Sequence, residues 1–150
     1  MKVRKSDLGP LPLIYLDSSA YLCLLLGEKM SVQIEKAIHN RALCSSSFFA
    51  LEVDRNLVRL SRERVISQKE FSKLHIQFKI DIEAFILKDL NLDLCLTGTF
   101  PAVKTPRSSD LAHLRTALWF MNQERLDGFL TLDAHQREAA RELKLPVMEF

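Results

Sequence analysis

Leu13-Ile14-Tyr15-Leu16-Asp17, near the start of the chain, and Gly128-Phe129-Leu130-Thr131-Leu132-Asp133, near its end, decide how the fold is read. Each is a short apolar run that stops at an aspartate. A strand apolar on both faces suits a parallel sheet covered by helices on either side, because neither face then meets water. In open parallel sheets, sites form in the crevice beyond the carboxyl ends of the strands. Both aspartates fall at that edge.

Outward from these two runs, helix and strand signals alternate. Pro10 and Pro12 stop a ragged lead-in over 1–12. Ser18 or Ser19 caps a helix through 22–26 that Gly27 ends, and 31–40 forms another, with Val32, Ile34, Ala37 and Ile38 turned inward. A brief strand at 42–44 leads into Ser45-Ser46-Ser47 and a helix over 48–64, with Phe49, Val53, Leu57 and Leu60 on one face. Ser67 caps the next helix, carried by Phe71, Leu74, Phe78 and Ile82. Phe85-Ile86-Leu87 reads as a strand, 92–96 as a short helix, and 97–107 as a loop broken by Pro101 and Pro106. Ser108 or Ser109 caps a helix to Asn122 with Leu111, Leu114, Leu118 and Met121 inward. A helix over 134–144 and a closing strand, Leu145-Pro146-Val147-Met148, complete the chain. The pattern predicts one α/β domain over 1–150, with three α/β/α layers around a central, mostly parallel sheet.

Composition bounds the function. With 150 residues, 47% of them hydrophobic, the chain builds a core without disulfides or a structural metal. A net charge of +2 makes no case for nucleic-acid binding by itself. Cys23, Cys44 and Cys95 are widely spaced, with no zinc-ligand pattern, and read as buried, reduced thiols. The basic start is followed by Ser6-Asp7-Leu8-Gly9-Pro10 rather than the apolar core of a signal peptide. No apolar run nearby approaches the roughly 20 residues a bilayer needs. These features point to a soluble cytoplasmic protein with no membrane partner.

Chemistry enters through the acids. Besides Asp17 and Asp133, Glu52 and Asp110 are expected in the first turns of two helices, where the helix N-terminus tolerates negative charge. Singly, each has an ordinary role as a cap or a dipole partner. Together they converge on one edge of the sheet. Two carboxylates about 4 Å apart repel by roughly 4 kcal/mol at an effective dielectric near 20. A divalent cation removes that cost. Oxygen donors without His or Cys suit Mg²⁺ or Mn²⁺, and such ions drive in-line cleavage of phosphodiesters.

Four segments in order carry a family resemblance over about 13–149. They are Ile14-Tyr15-Leu16-Asp17-Ser18-Ser19-Ala20, then Ser45-Ser46-Ser47 through Leu51-Glu52-Val53, and then Ser109-Asp110-Leu111-Ala112-His113-Leu114-Arg115-Thr116-Ala117-Leu118. The fourth is Phe129-Leu130-Thr131-Leu132-Asp133 with Ala139-Ala140 and Leu145-Pro146-Val147. The chain resembles PIN domains, in particular VapC-type toxins of bacterial toxin–antitoxin pairs. Arg115 and Thr116 depart from the small-residue run usual in the third segment, and 92–107 is longer than in compact members.

The resemblance implies an endoribonuclease. Asp17 and Asp110 would be the most direct ligands of Mg²⁺ or Mn²⁺, and Glu52 and Asp133 would complete the shell around a metal-activated water. Thr131 and Ser18 would hold Asp133 or Asp17 by hydrogen bonds. It also implies an RNA substrate, a cognate antitoxin and a homodimer.

Arg55, Asn56 and Arg59 share the Glu52 face of their helix, and Arg62 and Arg64 extend it as a rim for RNA phosphates or as ordinary solvated charge. His113 reads as structural, and Trp119 and Phe120 as core or dimer contacts in preference to platforms for stacked bases. A phosphotransfer enzyme of the haloacid-dehalogenase or receiver type is disfavoured, because Ser18-Ser19 follow Asp17 where a second acid is wanted. A non-catalytic PIN-like module that docks RNA or protein is the remaining alternative.

Overall fold

Strands β1 (Leu13–Leu16), β2 (Ala42–Ser46), β3 (Phe85–Lys88) and β4 (Gly128–Leu130) form one four-stranded sheet in the order β3-β2-β1-β4. All three pairings are parallel. The computed structural model describes residues 10–96, 103, 107–123 and 125–150. Most of the expected lead-in and most of the 97–107 loop lie outside the described residues.

Between the strands run α1 (Ser18–Leu26), α2 (Ser31–Ile38), α3 (Ser47–Arg62), α4 (Gln68–Ile82), α5 (Leu92–Cys95) and α6 (Ser108–Asn122), and α7 (Ala134–Glu142) follows β4. Side-chain alternation along β1 divides the core into two. Leu13 and Tyr15 pack with Leu114, Ala117 and Phe120 of α6 and with Ala139 and Ala140 of α7. Ile14 and Leu16 face the other way, onto Ala20, Ile34, Phe49, Val53 and Phe78 of α1 to α4. Every residue of β1 is therefore buried, as its unbroken apolar run requires. The architecture is the three-layer α/β/α sandwich that the sequence pattern implies. No helix among the described residues is long and apolar enough to cross a membrane.

Several local expectations are corrected. Strand β4 stops at Leu130, short of Asp133, level with Leu16 where its partner β1 ends. The expected closing strand shrinks to one parallel bridge, Phe129 to Val147. Val32 on α2 is mostly exposed, whereas Ile34 is buried. On α6 the buried face runs through Asp110, His113, Leu114, Ala117 and Phe120, so Leu111, Leu118 and Met121 are only partly covered. That face includes Phe120, in keeping with a core role, whereas Trp119 is half-buried beneath Lys88, whose Nζ lies 4.7 Å from the ring. Cys23 and Cys44 are buried, but Cys95 is exposed. The Ser67–Glu70 capping box at the start of α4 matches its sequence signal.

Truncating Leu114, which is fully buried between α6 and β1, is expected to cost about 2–5 kcal/mol as Leu114→Ala. Val32→Ala should stay within about 0.5 kcal/mol of wild type. Urea denaturation of both variants checks the reassigned faces of α6 and α2.

Candidate active site

The four acids line one cleft of about 550 Å³ beyond the carboxyl end of the sheet. It lies at the point where the chain order reverses, since β1 has β2 on one side and β4 on the other. Ser18, Ser19, Arg55, Asn56, Arg107, His113 and Gln136 share its walls.

Asp17 ends β1 and caps α1. Its Oδ1 accepts from Ser19 Oγ (2.7 Å) and from the Ala20 backbone N–H (3.0 Å), and its Oδ2 accepts from Thr131 Oγ1. The residue is almost wholly buried. Burial pushes its carboxyl above the ordinary aspartate range, more than the nearby His113 ring and these three hydrogen bonds pull it back. The hydroxyl holding Asp17 thus belongs to Ser19 rather than Ser18. Ser18 is the first residue of α1 and lines the cleft.

Thr131 does serve a carboxylate, though not from a strand position shared with Asp133. Its Oγ1 donates to Asp17 and accepts from the Asp133 backbone N–H at 3.0 Å. Asp133 is the N-cap of α7, its Oδ1 accepting from the Gln136 N–H at 3.0 Å. Partial burial works against its charge, but the Gln136 amide and Arg107 hold the Asp133 carboxyl below the usual range.

Glu52 sits in the second turn of α3 rather than the first. A buried chain of polar groups reaches it from the central strand. The Ser46 N–H donates to Tyr15 Oη (3.2 Å), Tyr15 Oη lies 2.8 Å from His113 Nδ1, and His113 Nε2 lies 2.5 Å from Glu52 Oε2. Burial holds the Tyr15 phenol in its protonated form. The His113 ring thus bridges the Tyr15 phenol and the Glu52 carboxylate, and its tautomer sets which nitrogen donates. His113 is buried in the cleft wall, and what it supports is an acid of the cleft.

Asp110 lies in the first turn of α6, whose cap is Arg107 rather than Ser108 or Ser109. Arg107 bridges two acids. Its Nε donates to Asp110 Oδ2 (3.1 Å), and its Nη2 lies 2.8 Å from Asp133 Oδ2 and 3.5 Å from Asp110 Oδ1. One nitrogen of a single cation thus touches carboxylates from two elements. Arg55 lines the cleft, whereas Arg59 turns away to Glu63 at 3.0 Å.

Oxygen donors make up the acid set, and its fit to a hard divalent ion rests on two observations. A cation already lies between Asp110 and Asp133, and Asp17 is a buried carboxyl for which a positive neighbour would offset desolvation. As the side chains stand, no three His, Cys, Asp or Glu among the described residues are grouped closely enough to hold an ion. Closure of the shell would require Arg107 to leave the carboxylates.

Four functional candidates escaped the sequence reading. Arg107 carried a signal, three residues before Asp110 on a helix start. From sequence Ser19 reads only as a helix cap, and Tyr15 as one more apolar strand residue. Gln136 is buried in the cleft wall, and its Nε2 has no partner among the described residues. It has no sequence signal beyond lying three residues after Asp133. No protein-family model matches the chain. No curated protein matches it either.

Because the folded Asp17 keeps a proton that the unfolded chain has already released, stability is lost as pH rises through the window above the ordinary aspartate pKa of about 3.9. Asp17→Asn should therefore melt higher than wild type at pH 7 in chelator-treated buffer, with the gap closing as pH falls through that window. Melting curves across pH check this, and a lower-melting variant at pH 7 would contradict it.

Proposed function

We propose that this protein is an Mg²⁺- or Mn²⁺-dependent endoribonuclease of the PIN-domain type. The observation that carries the proposal is the convergence of Asp17, Glu52, Asp110 and Asp133, distant in sequence, on a single cleft at the carboxyl edge of a parallel sheet. When bound there, the ion supplies charge neutralisation at a phosphate and acidifies water for in-line attack.

The chain's own groups divide the remaining work. Asp17 and Asp110, the two most buried acids, are the direct holders of the ion. Asp17 is kept in place by Ser19, Ala20 and Thr131, so its oxygens need little reordering when a cation arrives. Glu52 and Asp133 complete the set, each steadied from behind, by His113 and by the Gln136 N–H respectively. Arg55, at the edge of the cleft, meets the RNA backbone. By the same resemblance the protein is the toxin of a type II toxin–antitoxin pair. Its partners are then RNA, an antitoxin and a second copy of itself, and it works in the cytoplasm.

A second proposal, a PIN-like module that docks RNA or protein without cutting, has one specific feature in its favour. Arg107 pairs with both Asp110 and Asp133 from within the chain itself, offsetting part of their charge without an ion.

Incubation of RNA with the protein and Mg²⁺ or Mn²⁺ separates the two. New RNA ends should appear by sequencing, vanish with EDTA, and fall about 100-fold or more in Asp17→Asn and in Asp110→Asn. Failure to cleave any RNA with either ion favours the docking module. Cleavage that survives both substitutions in folded protein places the activity elsewhere.

A further inference from the structure

Arg107 stands at the entrance of α6 with an extended backbone, and its side chain is 61% exposed. Its guanidinium fork nevertheless ends on two carboxylates of the cleft, and the Asp110 side chain beneath it is only 5% exposed. A guanidinium and a divalent ion are attracted by the same oxygens and cannot occupy the same contact. The guanidinium itself is well exposed and regains water as it leaves, while an incoming ion takes over the carboxylates, so its release leaves no buried charge unpaired. Once released it remains tethered at the rim of a cleft that also holds Arg55. Its five donors and fixed charge then match a phosphodiester oxygen pair as well as they matched a carboxylate.

We infer that Arg107 is an exchangeable cation. It holds Asp110 and Asp133 together before an ion binds, is displaced by Mg²⁺ or Mn²⁺, and then binds a phosphate of the RNA. Ion loading thereby does two things at once, assembling the acid cluster and freeing a positive fork for substrate. This inference rests on the metal-dependent nuclease proposal above and assigns a residue that the four-acid pattern does not include.

Calorimetry with Mn²⁺ alone tests the first half. Arg107→Gln, at an exposed position whose fold is checked by its melting curve, should bind Mn²⁺ severalfold tighter than wild type. Arg107→Lys keeps the charge but loses the fork and should fall between them. Arg55→Gln removes a cation from the same cleft that is bonded to none of the acids among the described residues, and it should tighten Mn²⁺ binding less. Equal tightening by Arg55→Gln and Arg107→Gln would show a general field effect and overturn displacement. Unchanged or weaker Mn²⁺ binding by Arg107→Gln would overturn it too.

The second half is read by fluorescence anisotropy with a short phosphorothioate oligoribonucleotide at saturating Mn²⁺. Arg107→Gln should bind more weakly, with a salt slope smaller by about 0.7. RNA affinity and slope equal to wild type would overturn the transfer to phosphate. If neither wild type nor variant binds Mn²⁺, the nuclease proposal falls together with this inference. Equal, measurable Mn²⁺ binding by both overturns this inference alone.

Discussion

The carboxylate of Asp17 is buried at the end of the central strand, and much of the surrounding structure answers to it. An ionised group taken out of water costs several kcal/mol unless it is hydrogen-bonded and paired. Three donors, from Ser19, Ala20 and Thr131, meet only part of that demand. Thr131, the first residue past β4, brings its hydroxyl to Asp17 at the edge of the sheet. The same hydroxyl receives the Asp133 N–H, which places that residue as the cap of α7. Asp133 in turn lies within reach of Arg107 and, through it, of Asp110. Positions far apart in the chain are thus tied in sequence to one buried charge.

A second line of constraint leaves β1 two residues earlier. Tyr15 is fully buried, and its hydroxyl must be satisfied inside the protein. The Ser46 N–H at the start of α3 and the His113 ring on α6 satisfy it. His113 is then fixed with its other nitrogen on Glu52. The central strand therefore positions acids on both sides of itself, Asp17 directly and Glu52 through a phenol and an imidazole. Such a network is high-stakes in a low-dielectric interior, because each member lost leaves the next unsatisfied.

Much of this was legible in the sequence, for definable reasons. Continuous apolar runs ending in Asp17 and just before Asp133 are a direct signature of a covered parallel sheet with polar edges, and the three-layer fold follows. The four acids were legible as positions at that edge. The faces of α6 were not. Leu111, Leu118 and Met121 satisfy a helical period, yet the side actually buried is lined by Asp110, His113 and Ala117 as well as Leu114, because the strand opposite offers a tyrosine hydroxyl and the crevice beyond it collects acids. Polar residues that face one another in a core look like surface residues when read one at a time. Arg107 was hidden for a related reason. Its partners are a near neighbour, Asp110, and a distant one, Asp133, and only the near one lies within the reach of spacing rules. Ser19 and Ser18 are adjacent and alike, and the backbone turn at the start of α1 alone selects between them.

What unites the structure is the claim that negative side chains gathered by this scaffold share one divalent ion. Anomalous diffraction from crystals grown with Mn²⁺ addresses it most directly. The account predicts a single strong peak in the cleft, with carboxylate oxygens of both Asp17 and Asp110 at about 2.0–2.4 Å and the Arg107 guanidinium withdrawn. Strong peaks elsewhere, or none while Arg107 still bridges Asp110 and Asp133, would contradict it.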